Sequence, residues 1–239
     1  MSSAAAIAVV LLLVGWAIWG VFAWPPLKRA LASGNRLALI REYQQTIAGE
    51  LVLAALAVSA AAWAGLAMVQ AVPGLAIGSA IAVGELPAPL LAGVGAALVG
   101  ALAGIMLARR SGKAPQLIGD IAALVPVTTP ERRWYVAVCV CVGVCEEVLY
   151  RGFMGAWLSD LGASGVTVLV VGSVFFGLAH AYQGVAGVLG TTVLGAILHV
   201  LYVGTGSLWV PIVLHILLDL RLLLMSPRRL PHGTTEQPA

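Results

Sequence analysis

The sequence predicts an all-α, polytopic membrane helix bundle of about seven transmembrane helices, and three observations carry that prediction. Of 239 residues, 61% are hydrophobic and only 10% are charged, whereas an ordinary soluble domain carries about 25% charged residues. The apolar residues gather in runs close to the roughly 17–25 residues that a helix needs to span a bilayer. The basic residues fall between those runs with a one-sided bias, as membrane topology requires. A net charge of +3 so distributed marks orientation and is no sign of nucleic-acid binding.

The expected spans are roughly 4–24, 47–71, 88–108, 134–157, 164–182, 185–203 and 207–225. They divide the chain into N-terminal transmembrane helices and connections over 1–133, a helix core over 134–225 and a polar, disordered tail over 226–239. No Lys or Arg precedes the first span, so the basic start of a secretory signal is missing and the first helix is expected to be retained. Lys28, Arg29, Arg36 and Arg41 follow the first span, and Arg109, Arg110 and Lys113 follow the third. Arg132 and Arg133 precede the fourth, and Arg221, Arg228 and Arg229 end the last. Placing all of these on the cytoplasmic side gives an N-out, C-in orientation.

Within the connection after the third span, Gln116 to Leu124 is expected to form an amphipathic interfacial helix. Glu131-Arg132-Arg133-Trp134-Tyr135 reads as an interfacial anchor. Gly100 and Gly104 form a GxxxG pair, expected to pack helices within the chain. Cys139, Cys141 and Cys145 share one span without a CxxC pair, which suits small packing residues better than a metal or redox site.

The fourth span carries Glu146, Glu147 and Arg151, although each charge at a bilayer centre costs roughly 2.5–3.5 kcal/mol on insertion scales. Glu147 and Arg151 stand at i,i+4 on one helical face and can neutralise each other as a structural ion pair. Glu146 is rotated by about 100° and is left free for chemistry. The later spans add His180, His199, His215 and Asp219. His215 and Asp219 are at i,i+4, as are Phe176 and His180, so Phe176 can wall the pocket that the imidazole enters. A lone intramembrane histidine is often a helix–helix hydrogen bonder, and His199 is read that way.

Two hydrolytic chemistries fit this set. In one, Glu146 acts as general base on a water shared with His180, while His215 and its neighbour stabilise an oxyanion. In the other, Glu146, His180 and His215 hold a metal such as zinc with an open position. An HExxH pair is absent, so the ligands would come from three separate helices. Asp219 can serve by holding His215 in one tautomer.

Glu146-Glu147-x-x-x-Arg151, then Phe176-x-x-x-His180, then His215-x-x-x-Asp219, together resemble the three motifs of the CPBP intramembrane proteases, the Abi or CAAX-protease family with its Rce1-type prenyl proteases. The run from Thr205 to Pro211 is also similar to that family, and the resemblance covers about residues 134 to 225. It implies an intramembrane endopeptidase that hydrolyses a peptide bond of a membrane-associated protein or peptide in the bilayer. It implies Glu146 and His180 as the water-activating pair, and His215 with position 219 at the oxyanion. It also implies that no cofactor is required under a glutamate mechanism, although members have long been labelled metalloproteases. The prenyl proteases have Asn at the last position where this chain has Asp219, and an ionised Asp cannot donate to an oxyanion. The expected location is a bacterial cytoplasmic membrane. A non-catalytic membrane scaffold or immunity factor is the alternative. An ion- or proton-coupled transporter fits less well, because the polar residues cluster in one half and the first three spans carry no motif.

Overall fold

The computed structural model describes residues 2–66, 68, 100, 103–104, 106–107, 110–111 and 117–225. Every regular element among them is helical: α1 (Ser2–Ala32), α2 (Leu37–Ala64), α3 (Thr129–Glu147), a π-helical turn (Val148–Met154), α4 (Gly155–Asp160), α5 (Gly165–Ala179), α6 (Gly184–Thr205) and α7 (Trp209–Met225). Short 3-10 turns cover Ala122–Leu124 and Ala181–Gln183. The all-α bundle is as expected.

The number of spans is not. Among the described residues three helical stretches are long and apolar enough to cross a membrane: Ala4–Ala32, Leu37–Ala64 and Ala181–Thr205. This corrects the expectation of about seven. An apolar run does not ensure a long uninterrupted helix. The expected span 164–182 is a 15-residue helix that stops at Ala179, and 15 residues reach about 22 Å at 1.5 Å each against a hydrocarbon core of about 30 Å. The expected span 207–225 yields a 17-residue helix. The expected span 134–157 is broken into α3, the π-helical turn and α4. The span 88–108 lies largely outside the described residues, although Gly100 and Gly104 of its GxxxG are described. A Cβ on Gly100 or Gly104 would meet no described neighbour. The tail over 226–239 also lies outside.

The N-terminus of α3 shows why helices start where they do. The Thr128 hydroxyl accepts from the Glu131 N–H, and the Glu131 carboxylate accepts from the N–H groups of Thr128 and Val127, a capping box that satisfies donors the helix cannot. Glu131 is therefore a buried cap; it also pairs with Arg36 at 2.7 Å. The expected amphipathic helix before it is instead a bent segment and one 3-10 turn.

α2 packs along α1 and α3, α3 also packs against α7, and α5 packs along α6. Gly143 permits the α3–α7 approach: a Cβ there would lie 2.5 Å from Ile216 Cγ1 and 3.2 Å from its backbone nitrogen. Several ties gather the basic helix ends at one end of the bundle. Arg36 meets Glu131, Lys28 meets Asp120, the Tyr43 hydroxyl donates to Leu124 O and the Tyr135 hydroxyl donates to Asp219 O. Cys139 and Cys145 are buried free thiols and Cys141 a partly buried one, consistent with packing.

Candidate active site

Helix α3 delivers Glu146 and Glu147 at its last turn, both buried. The π-helical turn then follows, an irregularity often found at functional sites. It carries Arg151 back onto Glu147. Arg151 Nη1 donates to Glu147 Oε1 at 2.9 Å and Nη2 donates to Gly195 O at 2.8 Å. The guanidinium carbon sits 4.5 Å from the centre of the Phe176 ring. Arg151 is thus fully engaged by α3, α5 and α6.

Helix α7 brings His215 to the same place. His215 Nδ1 bonds Glu147 Oε1 at 2.9 Å, so one carboxylate oxygen serves both the guanidinium and the imidazole. His215 Nε2 faces Glu146 Oε2 at 3.8 Å and Asp219 Oδ2 at 3.6 Å. Both distances exceed a direct hydrogen bond and leave Nε2 pointing between two carboxyls. The ring's orientation comes from Glu147, whereas the sequence suggested Asp219. Glu146 Oε2 is buried without a hydrogen-bond partner among the described residues.

His180 caps the end of α5. Its Nδ1 lies 2.8 Å from Phe176 O, and since a carbonyl can only accept, Nδ1 carries the proton. In the neutral ring Nε2 is then an acceptor. Phe176 is fully buried between the two histidines, with ring centres 5.0 Å from His180 and 5.8 Å from His215. Tyr150 closes on its edge at 5.3 Å.

Glu146, His180, His215, Asp219 and Phe176 all line one cavity of about 440 Å³. It reaches Glu42, Gln183 and Arg221, so it runs from the buried glutamates toward the basic end of the bundle. His199 is buried but not among the lining residues. Its Nε2 has no partner among the described residues and its ring packs on Tyr202.

Sequence reasoning missed the wall opposite. Trp16, Trp19 and Trp24 of α1 and Glu42, Thr46 and Glu50 of α2 also line the cavity, although the early spans had been set aside as lacking motifs. The signal was present: Glu42, Thr46 and Glu50 stand at i, i+4 and i+8, one face of a helix.

Among the described residues no group of three or more His, Cys, Asp or Glu side chains is arranged to hold a metal ion. Glu146, His180 and His215 do not form such a group.

The family model described as Type II CAAX prenyl endopeptidase Rce1-like matches residues 129–221. No curated protein and no solved structure matches the chain.

Proposed function

The chain is homologous to the Rce1-like CAAX protease family over residues 129–221, and on that premise we propose that it is an intramembrane endopeptidase using a water activated by Glu146 and His180. The observation that carries this reading is the convergence of Glu146, His180 and His215 from three separate elements on one cavity.

The Glu146 carboxylate takes a proton from water while His180 Nε2 accepts the other O–H and orients the lone pair. The water oxygen attacks the peptide carbonyl, and a proton on His215 Nε2 donates to the tetrahedral oxyanion. Collapse breaks the C–N bond, and the departing nitrogen takes up a proton to leave as an amine. Glu147 and Arg151 do not touch substrate; they hold His215 and the π-helical turn in place. Asp219, 3.6 Å from His215 Nε2, acts through that imidazole and needs no proton of its own to donate.

The substrate enters from the end where Lys28, Arg36, Arg132 and Arg221 gather, which is the cytoplasmic side by the positive-inside rule; the N-terminus is then outside and the C-terminus inside. A tryptophan-lined wall suits an apolar, membrane-anchored peptide, and a prenylated CAAX end is the first substrate to offer. Comparing the membrane proteome of cells carrying the wild type with that of cells carrying Glu146→Gln tests the proposal. An uncleaved precursor is expected to accumulate only with the variant. Identical cleavage patterns from the two strains would reject it.

A further inference from the structure

Another carboxyl faces this cavity from outside the homologous stretch. Glu50, on α2, is 5% exposed and lines the cavity with Glu146 and His215. Trp16 Nε1 donates to its Oε1 at 3.1 Å. Its Oε2 is buried and has no hydrogen-bond partner, and no cation pairs with it among the described residues. A carboxyl held so inside an apolar bundle is costly. Accepting one bond from an indole requires only an amide oxygen, so the tryptophan contact does not account for an acid.

The groups that act on Glu50 come from every side. Glu146, Cys141 and Cys145 do so from α3, Tyr150 from the π-helical turn and His215 from α7; α1 contributes the neutral Trp16. The only other carboxyl in this group is Glu146. Two carboxyls in one low-dielectric cavity are disfavoured as a pair of anions, and holding one proton between them relieves the repulsion.

We propose that Glu50 is a second acid–base residue of the reaction, carrying the proton that the leaving amine requires. This rests on the protease reading above. The reactive form is the one in which Glu146 is ionised and Glu50 is protonated. Water gives one proton to Glu146 and its oxygen bonds the carbonyl carbon. The C–N bond breaks, its electron pair remains on nitrogen, and that nitrogen takes the proton from Glu50. The proton on Glu146 then moves through cavity water to Glu50 and restores the start. One water is consumed, and one carboxyl and one amine are formed. Glu42 and Thr46, two turns and one turn along the same face of α2, line the same cavity as Glu50.

The test uses full-length protein in lipid nanodiscs and an internally quenched peptide with a farnesylated CAAX end. Glu50→Gln keeps an oxygen for Trp16 and removes only the ionisable group. Its kcat is expected to fall by about 10²-fold, the scale of one acid–base contribution, with KM unchanged and the alkaline limb of the pH profile lost. Glu50→Asp is expected to retain that limb. Wild-type kcat with both limbs in Glu50→Gln would overturn the proposal. Infrared titration of the protonated carboxyl bands decides the matter separately from turnover, and also where Glu50→Gln accumulates poorly, because it can be read in Glu50→Asp. Loss or displacement of the Glu50 band is expected to shift the titration of Glu146. Titrations that ignore one another would overturn the proton sharing even in an active enzyme, whereas a wild type that leaves the peptide intact counts against the protease reading itself.

Discussion

Arg151 is 2% exposed and meets Glu147, the Gly195 carbonyl and the Phe176 ring together. Removing one member of such a buried pair leaves the other charge uncompensated, at about 3–5 kcal/mol. Arg151→Met is therefore expected to lower the melting temperature sharply and to reduce accumulation in the membrane. Glu146→Gln, whose Oε2 has no partner to lose, is expected to melt like the wild type while losing cleavage. Asp219→Asn offers a third contrast. Because Glu147 orients His215 through Nδ1 and Asp219 stands at 3.6 Å, kcat is expected to fall by no more than about tenfold, or about 1.4 kcal/mol, whereas His215→Ala abolishes turnover. At this scale the i,i+4 rule made the division between Glu146 and Glu147 legible in the sequence. Glu50 was not legible because it sits near the start of the expected span 47–71, where a carboxyl is readily assigned to the water interface.

The π-helical turn and two short helices decide the element scale. Helices α3, α5 and α7 were legible as helices from their apolar runs, but not their ends or their interruption. Hydropathy averages over a window and does not register the hydrogen bonds that stop a helix at Ala179 or that shift its register after Glu147. The approach of α3 and α7 is equally hidden in composition and depends on Gly143. Gly143→Leu would drive a side chain into Ile216; overpacking costs about 1–3 kcal/mol, and it would part Glu146 from His215. The expected result is a larger loss of kcat than of melting temperature, measured on the same purified sample.

Across the whole molecule, the basic ends are drawn together by contacts far apart in sequence, of which Arg36 with Glu131 is the best buried on one side. Burial alone would push the Glu131 carboxyl up, but the Arg36 hydrogen bonds and the N–H groups of Val127 and Thr128 outweigh it and hold it down to about 2. A depressed carboxyl stabilises the fold above its ordinary value of 4.5 and loses that contribution as the pH falls toward 2. Melting temperature is accordingly expected to decline across that window in the wild type, and less steeply in Glu131→Gln. Charge bias along the sequence indicated which ends belong together, but the partner of each charge emerges only from the fold.

The central claim is that Glu146 turns a cavity water into the nucleophile that cuts a peptide bond. Its most direct test is cleavage of the farnesylated CAAX peptide by purified protein in water enriched in oxygen-18, with both fragments weighed by mass spectrometry. The account predicts one heavy oxygen in the new carboxyl terminus from the wild type and no cleavage by Glu146→Gln at any pH. Cleavage by Glu146→Gln at the wild-type rate, with the same label incorporated, would contradict it.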